Sequence, residues 1–216
     1  LKERGLTPGD LEALARFQAR LIGESSSASM SLPSASGGAA QTPGGTPLKS
    51  DFERTYVDLR VAFANAPDSG NPNQRELMGK RPIWDFLKSP RLVDNLALVV
   101  LGVPGSGRSA LLQHLTLTLA QGNQSRYDCR AFIPIPMTMS QLVLWEKERQ
   151  PNLAAGLQAL YAKDKELAVP SGWFSHILER ADCLLLVDGL DEVPEAQRRA
   201  VISFLDKQMT TYPRSR

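Results

Sequence analysis

Apolar positions recur with different periods along the chain, and the change falls near Asn95. From there onward, short apolar runs alternate with segments whose apolar residues return every three or four positions. That order of strand and helix is the one a parallel sheet flanked by helices requires. Leu96 to Leu101 predicts the first strand, over 96–101. A helix is expected from 108 to about 121, packing through Leu111, Leu112, Leu115, Leu119 and Ala120. Arg130-Ala-Phe-Ile-Pro-Ile135 predicts the next strand. Pro134 has no N–H to give a ladder, so this strand is expected to lie at an edge or to end there. Helices are expected at about 139–148, 152–161 and 172–180. Cys183 to Val187 then forms a continuous apolar run, opened by Asp182 and closed by Asp188, as in a strand covered on both faces. The last helix, from about Pro194 to Tyr212, turns Val201, Phe204 and Leu205 inward.

Upstream the pattern is weaker. Thr7-Pro-Gly-Asp opens a short helix with Leu11, Leu14, Phe17, Leu21 and Ile22 on one face, a stripe that either docks on a partner or covers an upstream domain. Residues 24–50 are mostly Ser, Gly, Ala, Pro and Thr, the composition of a flexible linker. A lead-in of helical or extended character follows, with a turn-rich loop at Pro67 to Asn73 and a short helix around Ile83 to Leu87. The expected division is therefore a helical segment at 1–23, a linker at 24–50, a lead-in at 51–94 and a core at 95–216. No initiator methionine opens the chain, and Tyr212-Pro-Arg-Ser-Arg216 stops where another strand is due. We therefore expect a piece of a longer protein.

Composition narrows the class. With 25 Lys and Arg against 23 Asp and Glu, the net charge of +2 gives no strong attraction to nucleic acid or to an anionic membrane. No apolar run approaches the roughly 20 residues of a membrane span. Cys129 and Cys183 have neither metal-ligand nor disulfide spacing; both are expected in buried strands, which suits a reducing, cytoplasmic setting.

The chemistry lies at two places. Gly102-Val103-Pro104-Gly105-Ser106-Gly107-Arg108-Ser109 joins the first predicted strand to a helix. It fits the phosphate-binding loop G-x-x-x-x-G-K-[ST] except for arginine at the lysine position. Its glycines let backbone N–H groups converge on an anion, and the helix N-terminus adds its own unpaired donors. The Ser109 hydroxyl is suited to Mg²⁺ between terminal phosphates. Asp188 is expected at the carboxyl end of a parallel strand, where ligands of open α/β sheets bind, and is suited to hold Mg²⁺ through a water. Asp191 and Glu192 follow closely, and either is placed to orient or deprotonate a water attacking a γ-phosphate.

Together these segments resemble the NACHT family of signal-transducing P-loop ATPases, part of the larger STAND class. Leu184-Leu-Leu-Val-Asp188-Gly-Leu-Asp191-Glu192 resembles that family's extended Walker B, Gly102 to Ser109 its Walker A, and Thr55-Tyr-Val-Asp-Leu-Arg60 with Pro82-Ile-Trp-Asp-Phe86 the lead-in of bacterial members. The resemblance implies an α/β P-loop NTPase three-layer sandwich with a mainly parallel sheet, here preceded by the linker and helix. It implies Gly102, Gly105, Gly107, Arg108 and Ser109 as phosphate contacts and Asp188 as the magnesium residue, with Asp191 or Glu192 activating water. Tyr56 and Arg60 fall near the adenine end on the same resemblance. The implied function is a switch that holds ADP at rest, exchanges it for ATP and self-oligomerises, with a suggestion of innate defence.

Arginine at 108 keeps the charge but is wider, planar and forked, so we expect binding retained and hydrolysis slow. The alternative is a non-hydrolysing oligomerisation scaffold. A GTPase is disfavoured because no N-K-x-D segment occurs. His114 and His176 lack ligand-spaced neighbours, and Trp84, Trp145 and Trp173 read as core anchors. Arg198 and Arg199 read as the outer face of the last helix.

Overall fold

The computed structural model describes residues 5–27, 52, 56–62, 79–88, 98–162, 164 and 166–215. The linker beyond Ser27 and the Pro67–Asn73 loop lie outside the described residues. In chain order the elements are α1 (Pro8–Ser27), β1 (Arg60–Val61), β2 (Arg81–Pro82), α2 (Ile83–Lys88), α3 (Arg108–Ala120), β3 (Ile133–Thr138), α4 (Met139–Lys147), α5 (Leu153–Tyr161), α6 (Trp173–Arg180), β4 (Cys183–Asp188) and α7 (Glu195–Thr211). Short 3₁₀ turns occupy Asn123–Tyr127 and Leu190–Glu192.

β3 and β4 pair in parallel from Ile133↔Cys183 to Thr138↔Asp188, and β1 pairs with β2 antiparallel. β3 begins three residues later than its predicted start at Arg130, and Pro134 lies inside it. The reason is directional. Ile133 donates its N–H to Asp182 across the pair, at 2.9 Å, so the alternating Pro134 and Pro136 turn their missing N–H groups to the opposite edge, where no ladder is lost. Among the described residues no strand pairs there, and the two prolines discourage one.

The predicted strand at 96–101 is not seen in its described part. Residues 98–103 belong to no regular element, and Val99, Leu101 and Val103 are exposed. A strand needs a neighbour. β4 carries β3 on one edge, and its other edge meets a single parallel bridge from Cys183 to Ser215. Among the described residues no strand pairs with 98–103. Cys183 is fully buried in β4, whereas Cys129 is buried in the loop after the 3₁₀ turn rather than in a strand. Burial pushes the Cys183 thiol up to about 12.

Opposite faces of the strand pair meet different clusters. Leu184 and Leu186 join Leu111, Leu115 and Leu119 of α3 and Trp84 of α2. Ile133, Ile135 and Cys183 face the larger cluster, which draws on α1 and α4 to α7. The α1 stripe packs on this chain's own core. Phe17 is fully buried and meets Tyr161, Trp173 and Phe174 edge-on, at centroid distances of 5.4, 5.6 and 5.8 Å. The Trp173 indole N–H donates to the Asp10 carbonyl. Gln113 on α3 donates to the Ser25 carbonyl at 2.7 Å, tying down the far end of α1.

Local rules account for the helix ends. Thr138 and Gln141 form a reciprocal capping box on α4. Asn152 caps α5, and the buried Gln208 of α7 accepts the Leu153 N–H at 2.8 Å, satisfying donors that a helix start leaves open. Helices α4 and α5 approach closely at Gly156, where a Cβ would stand 2.5 Å from the Trp145 ring.

Candidate functional site

The loop from Gly102 to Gly107 is shaped by its glycines. Gly107 adopts φ +87° as the N-cap of α3, a left-handed value that favours glycine. A Cβ there would also lie 2.8 Å from Leu59 Cδ1, so the lead-in packs directly against the loop. The Gly107 carbonyl accepts the Leu111 N–H at 2.8 Å, opening the helix, and Ser106 N–H closes a tight turn on the Val103 carbonyl. Val103, Pro104, Gly105 and Ser106 are exposed at the mouth of this turn.

Asp188 ends β4, beside Thr138 in the register, and accepts the Gly189 N–H at 2.9 Å. Ser109 and Asp188 line one cleft of about 970 Å³. Two residues 79 positions apart, the two assigned to magnesium, thus face a shared space. Hydroxyl and carboxylate oxygens are the donors a hard cation takes, and Mg²⁺ delivered with phosphate needs only one or two from the protein. Among the described residues no group of three or more His, Cys, Asp or Glu is placed to hold a metal by itself. The residues fit Mg²⁺ carried by a nucleotide and do not form an all-protein cage.

Asp191 and Glu192 sit in the 3₁₀ turn after β4 and are exposed. Gly189, at φ +83°, turns the chain into it, and the Glu192 carboxylate folds back to about 3.0 Å from where a Gly189 Cβ would stand. Arg108 reaches across to Asp191, with Nη2 to Oδ2 at 2.8 Å. The hydrogen bond and charge of Arg108 hold the Asp191 carboxyl below its ordinary value.

Other expectations resolve plainly. Tyr56 stacks on His114 of α3, with ring centroids 4.1 Å apart and planes within 7°, and neither lines the cleft; Arg60 is exposed in β1. His176 lies 3.6 Å from Asp10. The three tryptophans are buried. Arg198 donates to the Val193 carbonyl at 2.8 Å. Sequence reasoning missed the remaining walls of the cleft, which include Thr138 and Gln141 and, from α1, Arg20 and Glu24. The Thr138-x-x-Gln141 capping pattern was a readable signal for the first pair; nothing local marked the second.

A glycine-rich loop opening a helix, with a carboxylate at the end of a neighbouring parallel strand, defines an α/β protein built to bind nucleoside phosphates. The family model for the NACHT domain matches residues 96–211, more than half of the chain, and the protein belongs to that family of P-loop NTPases. No curated protein and no solved structure matches it. The α1 helix and the lead-in lie outside the matched range. No helix among the described residues is long and apolar enough to cross a membrane.

Proposed function

We propose that this chain is the nucleotide-handling part of a STAND-type signalling switch that binds ATP and ADP with Mg²⁺ and hydrolyses ATP slowly. The observation that carries the reading is the shared cleft of Ser109 and Asp188, with Ser109 in the first turn of the helix that the glycine-rich loop opens. In this reading the backbone N–H groups of Gly102 to Gly107 receive the phosphates, and Arg108 supplies positive charge beside them. Ser109 offers its hydroxyl to the cation, and Asp188 holds it directly or through water. Bound Mg²⁺ would neutralise charge on the terminal phosphates. Asp191 or Glu192 orients the attacking water. Slow turnover follows from the forked guanidinium replacing a compact ammonium at a tight site. The proposed setting is cytoplasmic, with self-oligomerisation through this domain and a role in innate defence. The division into 1–23, 24–50, 51–94 and 95–216 belongs to the same proposal, with the first boundary moved to Ser27, where α1 ends.

A second reading, a non-hydrolysing oligomerisation scaffold, is favoured by one observation: Arg108 is engaged by Asp191. Mg-ATP and ADP affinity, together with ATP turnover, separates the two when measured for the natural chain and for Arg108→Lys. The switch reading expects both forms to bind and lysine to speed turnover. Binding only after the lysine substitution would favour the scaffold.

A further inference from the structure

Arg108 does more than occupy the lysine position. Its Cδ lies 3.7 Å from where a Gly102 Cβ would stand, at the entrance of the loop, and its Nη2 lies 2.8 Å from Asp191 Oδ2. The side chain therefore runs from one end of the phosphate loop to the turn after β4. Both groups are partly exposed, with side-chain exposures of 29% for Arg108 and 57% for Asp191, so a solute can reach the contact. The neighbouring carboxylate, Glu192, is turned over Gly189.

We propose that Arg108 and Asp191 form a bolt across the phosphate loop, which the phosphate end of a nucleoside di- or triphosphate opens by taking over the guanidinium. The inference rests on the nucleotide-binding reading of the same site. Phosphate oxygens present the forked, paired acceptors that a guanidinium prefers, so phosphate and Asp191 compete for one cation. Asp191 is then a positioning residue for Arg108, and Glu192 is the carboxylate left to orient water. The depressed proton affinity of Asp191 supports this division, because a weaker base is the poorer acceptor of a water proton. An arginine at 108 serves the bolt better than a lysine, having both the reach and the fork.

The test is calorimetric titration of the full chain with ADP and with inorganic pyrophosphate, for the natural protein, Asp191→Asn and Glu192→Gln. An exposed ion pair is weak, so Asp191→Asn is expected to tighten both ligands by only about two- to five-fold. Glu192→Gln removes the same charge one residue away without touching Arg108, and is expected to change affinity by less than about two-fold. A gain in affinity is not what a damaged fold produces. Equal gains in the two variants would reduce the effect to bulk charge and overturn the bolt, as would an unchanged affinity in Asp191→Asn. Failure of every form to bind either ligand would overturn the nucleotide reading together with it.

Discussion

Phe17 offers the sharpest test of how this chain is assembled. Its ring is fully buried and meets three aromatic side chains from α5 and α6. Truncating a buried phenylalanine to alanine costs about 3–5 kcal/mol through lost transfer energy and the cavity left behind. Alanine recovers about 0.5 kcal/mol of helix propensity, leaving a net loss of about 2.5–4.5 kcal/mol. Domains are typically stable by about 5–15 kcal/mol, so Phe17→Ala would leave little margin. At about 2–4 °C per kcal/mol for a chain of this size, the thermal midpoint would fall by about 5–18 °C. Urea unfolding followed by tryptophan fluorescence reads the free-energy loss directly, since Trp173 lies 5.6 Å from Phe17. Glu12→Ala, an exposed position on the same helix, should change stability by less than about 0.5 kcal/mol. A loss below about 1 kcal/mol for Phe17→Ala would instead show α1 to be a surface appendage.

Two further expectations concern the same core. Gly156→Ala would drive a methyl into the Trp145 ring carbons, which stand 2.5 to 2.9 Å from the new atom. Overpacking costs about 1–3 kcal/mol against about 1 kcal/mol of regained helix propensity, so the urea midpoint should fall; a rise would show slack between α4 and α5. Asp10 is subject to burial, which raises its pKa, but hydrogen bonds from Thr7 and the nearby His176 outweigh it and hold the carboxyl below its ordinary value. A depressed carboxylate contributes stability above its unfolded pKa, about 3.9, and that contribution disappears as pH falls through the lower folded value. Asp10→Asn should therefore lower stability at pH 7 and flatten the acid limb of the stability profile. An acid limb identical to that of the natural chain would contradict this.

What could be read from the sequence was what depends on near neighbours. α3, α6, β4 and α7 announce themselves through period or through a continuous apolar run, and the observed bounds fall within two residues of expectation. The end of β3 was placed too early because Pro134 was weighed as a missing donor without knowing which side of the strand it faced. Leu98 to Val103 reads as a strand by composition, yet pairing is decided by what lies beside it, and composition carries no such information. The phosphate loop and Asp188 were legible because their spacing is itself chemical. The Arg108–Asp191 contact spans 83 positions, and the contact of α1 with Trp173 spans 163. Neither leaves a local trace. The α1 wall of the cleft was invisible for the same reason, although the stripe that seats it was plain.

Ser109 and Asp188 are proposed to serve one Mg-nucleotide in one cleft. Titrating the natural chain, Ser109→Ala and Asp188→Ala with ATP, each with and without Mg²⁺, tests it most directly. Saturable binding that Mg²⁺ strengthens is expected in the natural chain, with a loss of about tenfold or more of that strengthening in either variant. Mg²⁺-dependent binding that both variants retain in full would contradict it.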